Sequence, residues 1–137
     1  MNERKRLRKR GTALIETALV LPLLVLLTFG MMEYGWMFLQ MHQVTNAARA
    51  GVRQAVLPDA TNLTVEDTVG VMMTAFHVAP GAYTLTTDPL DIVAVEPGAP
   101  VRVSLALPYA NVELLGIPLF PTPTTLRVSA VMAKEGP

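Results

Sequence analysis

Residues 12–32 are 21 residues with a single charge, Glu16, and a basic cluster stands directly before them. At about 1.5 Å per residue the run makes a helix of roughly 32 Å, close to the ~30 Å hydrocarbon core of a bilayer. Few soluble folds can bury a helix that is apolar on every side for that length. The sequence therefore predicts a membrane-spanning helix.

The charge is distributed to match. The net charge is zero, but Arg4, Lys5, Arg6, Arg8, Lys9 and Arg10 supply six of the eleven basic residues. From Tyr34 onward five basic residues face eight acids. The basic tip predicts a cytoplasmic N-terminus and an exported C-terminal body. The mildly acidic body argues against nucleic acid as a partner. With no cysteine, a disulfide staple, a thiolate nucleophile and a Cys-ligated metal are excluded.

Three kinds of segment have this profile. A cleaved secretory signal peptide has an apolar core of about 7–15 residues and a small-x-small cleavage site. Here the run is longer and leads into Met32-Glu33-Tyr34-Gly35-Trp36. An ordinary uncleaved signal anchor accounts for everything except Glu16. An acid in a spanning helix costs about 2.5–3.5 kcal/mol at the centre, and less near the end. Such a residue needs a partner, and no basic residue lies within the run. A cut after Gly11 would create one, because Thr12 would then carry a free, mostly protonated α-amine. Glu16 would be the fifth residue of the new chain, placed to meet the amine of a neighbouring copy.

A basic leader, Gly11 and then Glu16 at the head of an apolar helix resemble the type IV prepilin processing motif. Further residues extend the likeness. Leu21-Pro22, Glu33 after the span, and Ala47-Ala48-Arg49 with Gly51 and Arg53 resemble the TadE-like family of the tight-adherence (Tad, type IVc) pilus system. VRVSLALPY and LRVSAVMAKE are similar to that family's closing strands. The resemblance implies an α+β, type IV pilin-like fold: a long N-terminal transmembrane and amphipathic helix packed on a small antiparallel sheet. It implies a minor pilin or pseudopilin, cut by a prepilin peptidase between Gly11 and Thr12, with Glu16 serving assembly. Thr17, where major pilins of the system carry Tyr, favours a minor subunit. Implied partners are other pilin and pseudopilin subunits, the prepilin peptidase, the inner-membrane assembly platform and the lipid bilayer. The alternative is an uncleaved single-pass anchor carrying a small extracytoplasmic binding domain.

The expected layout is a basic cytoplasmic leader at 1–11, a transmembrane helix at 12–32, its exported continuation at 33–56, and a small α+β extracytoplasmic domain at 57–137. Pro22 removes one helical hydrogen bond. It reads either as a routine transmembrane proline or as a flexing point. Met37, Met41, Val44, Ala48, Gly51 and Ala55 form a narrow seam, facing either the domain's own sheet or another subunit's helix. Leu57-Pro58-Asp59 stops the helix. A second helix is expected from a Thr64 cap to about Val78, ended by Pro80-Gly81. Strands are expected at 83–87, 91–96, 101–107 and 125–133. The loop at 108–123, with Leu114, Leu115, Ile117, Leu119 and Phe120, either folds back on the sheet or forms a contact patch.

No catalytic constellation appears. His42 reads as a surface residue and His77 as part of a helix cap. Asp88 and Asp91 read as turn residues around Pro89. Ser104 and Ser129 lack a nucleophile context, and Asn62-Leu63-Thr64 is a formal sequon. The chain is not expected to be an enzyme or to carry a cofactor or metal.

Overall fold

A computed structural model describes residues 2–116 and 120–136, with side chains from residue 14 onward. Helix α1 spans Asn2–Ala55 without interruption and contains Pro22. At ~1.5 Å per residue it is about 81 Å long. Every residue from 14 to 29 is exposed, and Gly30 is the first buried position.

The rest of the chain folds onto the second half of α1. Helix α2 spans Asn62–Ala75, and the strands β1 (Thr84–Asp88), β2 (Pro100–Pro108) and β3 (Thr125–Ala133) form one sheet. The sheet is antiparallel in the order β1-β2-β3. Val101, Val103, Leu105 and Leu107 of β2 point inward and are fully buried. Arg102 lies on the outer face, between Asp88 of β1 and Val131 of β3. The core is a sandwich of α1 and α2 against this inner face. Val44, Ala47, Ala48, Val69, Met73, Leu105 and Leu126 fill one part. Val52, Ala55, Val65, Ile92 and Val103 fill the other. About 80 residues make too little core alone, and α1 supplies the missing wall.

Gly51 sits where α1 meets both α2 and β2. A Cβ there would lie 2.7 Å from Val69 Cγ2 and 3.3 Å from Val103 Cγ1. Glycine is what lets the helices approach.

The expected α+β architecture is present, with four local corrections. The cap of α2 is Thr61, not Thr64. Thr61 and Thr64 form a reciprocal capping box, with Thr64 at the third helical position. That starts the helix earlier and moves Glu66 and Asp67 out of its first turn. It also ends earlier. The N–H groups of His77 and Val78 donate to the carbonyls of Thr74 and Met73, with His77 at φ 63°. This is a Schellman closure, and His77 is indeed a cap residue.

The strand expected at 91–96 does not form. Asn62 takes over its start, donating to Leu90 O at 2.6 Å and accepting from Ile92 N–H. Val93 N–H donates to Asp91 Oδ1 at 3.0 Å. Side chains satisfy this backbone in place of a ladder, and Ile92 is buried as a single plug.

On the α1 seam, Met41 is exposed and Gln40 takes the buried place, 4% exposed. The other seam residues face the domain's own sheet and α2. The described parts of the 108–123 loop, residues 108–116 and 120–123, fold onto α1 rather than onto the sheet, through the contacts given below. Ile117 and Leu119 lie outside the described residues.

Candidate functional site

The residues singled out by the sequence fall into three places along α1. Glu16 is exposed on the bare apolar portion of the helix, next to Thr17, Val20, Leu21 and Leu24. Gly11 and Thr12 lie within α1, and the Thr12 side chain is outside the described residues. Pro22 is within the helix, where its missing N–H leaves the Ala18 carbonyl without its ladder donor.

Glu33 lies at the point where the bare helix meets the globular half. It is 3% exposed. The Tyr109 hydroxyl donates to Glu33 Oε1, and Leu115 N–H donates to Oε2 at 3.0 Å. Both carboxylate oxygens are thus partnered. A buried carboxylate left without partners would be strongly unfavourable. Burial, together with the neighbouring Glu33 and the more distant Glu113, pushes the Tyr109 hydroxyl well above the usual tyrosine range. The phenol is held in its neutral, donating form.

Two aromatic residues fasten the same loop. Trp36 Nε1 donates to Val112 O at 2.6 Å, and the Tyr34 hydroxyl donates to Pro121 O at 3.0 Å. Phe120 rests on Gly30, where a Cβ would come within 3.0 Å of Phe120 Cε1. Gly30, Glu33, Tyr34 and Trp36 therefore form a docking strip on α1 for Tyr109, Val112, Leu115, Phe120 and Pro121. Sequence reading found Glu33, and Phe120 as one of the apolar loop residues, but not Tyr109 or Trp36. The signal was thin: a Tyr directly after a strand, and aromatics just past an apolar run.

The third place is Ala47-Ala48-Arg49-Ala50-Gly51-Val52-Arg53. Ala47, Ala48 and Val52 are fully buried and Gly51 is buried with them, while Arg49 and Arg53 are exposed. The small residues serve packing, and the two arginines, one turn apart, stay on the surface.

The far end of α1 has a device that sequence reading missed. Lys134, 7% exposed, donates from Nζ to Ala55 O at 3.2 Å and to Leu57 O at 2.8 Å. Glu135 N–H donates to Val56 O at 2.8 Å. The cation sits on carbonyls at the negative end of the helix dipole, and Leu57 O also accepts from Ala60 N–H.

His42 and His77 are exposed and belong to different elements. Among the described residues no group of three or more His, Cys, Asp or Glu gathers as a metal site. One helix, counted from Leu14, is long and apolar enough to cross a membrane.

No curated protein and no solved structure matches the chain. The TadE family model (TadE-like protein) matches residues 11–53. The match begins at Gly11, takes in Glu16, Pro22 and Glu33, and ends at Arg53. Residues 11–53 of the chain are similar to the TadE-like family.

Proposed function

We propose that the chain is a minor pilin or pseudopilin of a Tad (type IVc) pilus, made as a prepilin and cut after Gly11. The leader at 1–11 stays in the cytoplasm. Residues 12–32 hold the subunit in the inner membrane, and residues 33–56 and 57–137 form its exported part. From there it enters assembly, priming or tip formation through α1, with the prepilin peptidase and assembly platform as earlier partners.

The observation that carries this reading is Glu16, exposed on a bare apolar helix within a TadE-like segment. Such a carboxylate is costly in lipid unless paired. In this reading its partner is the α-amine of Thr12 on a neighbouring subunit, which exists only after the cut. Pro22, one helical turn and a half further on, gives α1 a loosened point during extraction from the bilayer.

The test is Glu16→Ala in cells that carry the complete pilus machinery. The variant should insert and be cleaved normally but fail to co-purify with partner pilins. Normal co-purification would remove the pairing and leave α1 as an anchor for a binding domain.

A further inference from the structure

The exposed apolar surface of α1 does not stop at residue 32. Phe38, Leu39 and Met41 are 60%, 46% and 36% exposed. Glu33 would break this surface, but Tyr109 and Leu115 cover it. Between Glu16 and Arg49, α1 thus presents no exposed formal charge, counting His42 as neutral. Residues 14–41 make about 42 Å of helix. That exceeds the ~30 Å hydrocarbon layer and matches the ~40–45 Å bilayer with its headgroup regions.

The loop that covers Glu33 is at the same height. Leu115 is bonded to Glu33, Val112 to Trp36 and Pro121 to Tyr34. Phe120 reaches Gly30, one turn deeper into the span. Leu114, beside Leu115, is 43% exposed. Between Phe120 and α1 runs an open apolar groove, lined by Leu23, Leu27, Gly30, Met31 and Tyr34. Trp and Tyr at the end of a span are the residues that favour the membrane–water boundary. Glu113, exposed on the loop, limits the depth: a carboxylate is tolerated among headgroups and costly in hydrocarbon.

We infer that the globular half docks on the bilayer through residues 112–116 and 120–121, and that the groove between Phe120 and α1 takes a phospholipid acyl chain. The inference rests on the membrane-spanning reading of α1. Continuity decides the occupant: a loop bonded to the last turns of a span lies where the lipid is. Burying Glu33 lets the domain settle into the interface instead of standing above it.

The full chain has no cysteine, so single cysteines can carry a nitroxide spin label in phosphatidylcholine vesicles. Leu27→Cys reports on the span, Leu114→Cys on the loop, and Val71→Cys on the exposed side of α2. Collisions with oxygen mark lipid, and collisions with a water-soluble nickel complex mark solvent. The label at Leu27→Cys should favour oxygen strongly and that at Val71→Cys the nickel complex. Leu114→Cys should fall between them, shielded from nickel relative to Val71→Cys. A Leu114→Cys label as nickel-accessible as Val71→Cys, with Leu27→Cys still in lipid, would overturn the docking alone. Nickel access at Leu27→Cys would overturn the span and the docking together. Leu114 is exposed, so the label displaces no core side chain.

Discussion

The Tyr109 hydroxyl donates to the Glu33 carboxylate across 76 residues of chain. This bond joins the end of β2 to the start of the folded half of α1. Leu115 N–H completes the carboxylate's set. Glu33→Ala would leave a buried hydroxyl and a half-buried N–H without their acceptor, at about 1–3 kcal/mol. Tyr109→Phe removes one hydrogen bond to a charged group, about 1.5–3 kcal/mol. Thermal unfolding of the detergent-solubilised chain should show both losses. Their combination should cost less than the sum, because the residues share one bond.

The same bond sets a pH dependence. Burial first, and Glu33 second, raise the Tyr109 hydroxyl above its ordinary value. The unfolded phenol ionises near ~10. Below that pH both states keep the proton, and the stabilisation is complete. As pH rises from about 10 toward the higher folded value, the unfolded state alone releases the proton, and stability falls. Tyr83, also raised by burial and by Glu66, contributes in the same direction. Melting temperatures across this range should decline for the native chain, and less steeply for Tyr109→Phe.

Gly51→Ala tests the close approach of α1 to α2. In an open helix the change gains about 0.5–1 kcal/mol. Here the new Cβ would fall 2.7 Å from Val69 Cγ2, on a β-branched side chain with little freedom in a helix. Overpacking costs about 1–3 kcal/mol, so the net change should be a lower melting temperature. Val69→Ala in the same chain should recover part of the loss by opening the space.

Lys134→Met keeps the apolar stem and deletes the cation over the Ala55 and Leu57 carbonyls. A hydrogen bond to a charged group contributes about 1.5–3 kcal/mol, so the variant should melt lower. Amide exchange should rise first near residues 52–57, where the helix end loses its cap.

The parts of this fold that follow from local pattern were legible. An apolar run of span length, an alternating Val101-Arg102-Val103-Ser104-Leu105 and a Pro58 stop each declare their element. The third strand, Thr125–Ala133, was placed at its observed bounds. What was not legible depends on distant partners. Asn62 replaces a strand at 91–96 by bonding across 28 and 30 residues. Gln40 takes the place given to Met41 because the buried positions of α1 beyond Gly30 (33, 40, 44, 47, 48, 51, 52 and 55) follow a 3.6-residue turn, whereas the seam was drawn at period 3.5. Glu33 was visible as a motif acid, but its burial needed Tyr109 and Leu115, 76 and 82 residues away. The charge on Lys134 gave no sign that it would end beneath a helix.

The boundary expected between residues 32 and 33 also acquires a physical content. A fragment starting at Tyr34 would lack Glu33 and Gly30, and with them the acceptor for Tyr109 and the seat of Phe120. The globular half is therefore tied to the turn of α1 at residues 30–33.

In the proposed function, residues 1–11 are removed to expose the α-amine of Thr12 that pairs with Glu16. Intact-mass measurement of the membrane-extracted chain, from cells with an active prepilin peptidase, tests it most directly. The chain should begin at Thr12, and should keep its full length when Gly11 is replaced by a bulky residue. A chain that keeps residues 1–11 in those cells would contradict it.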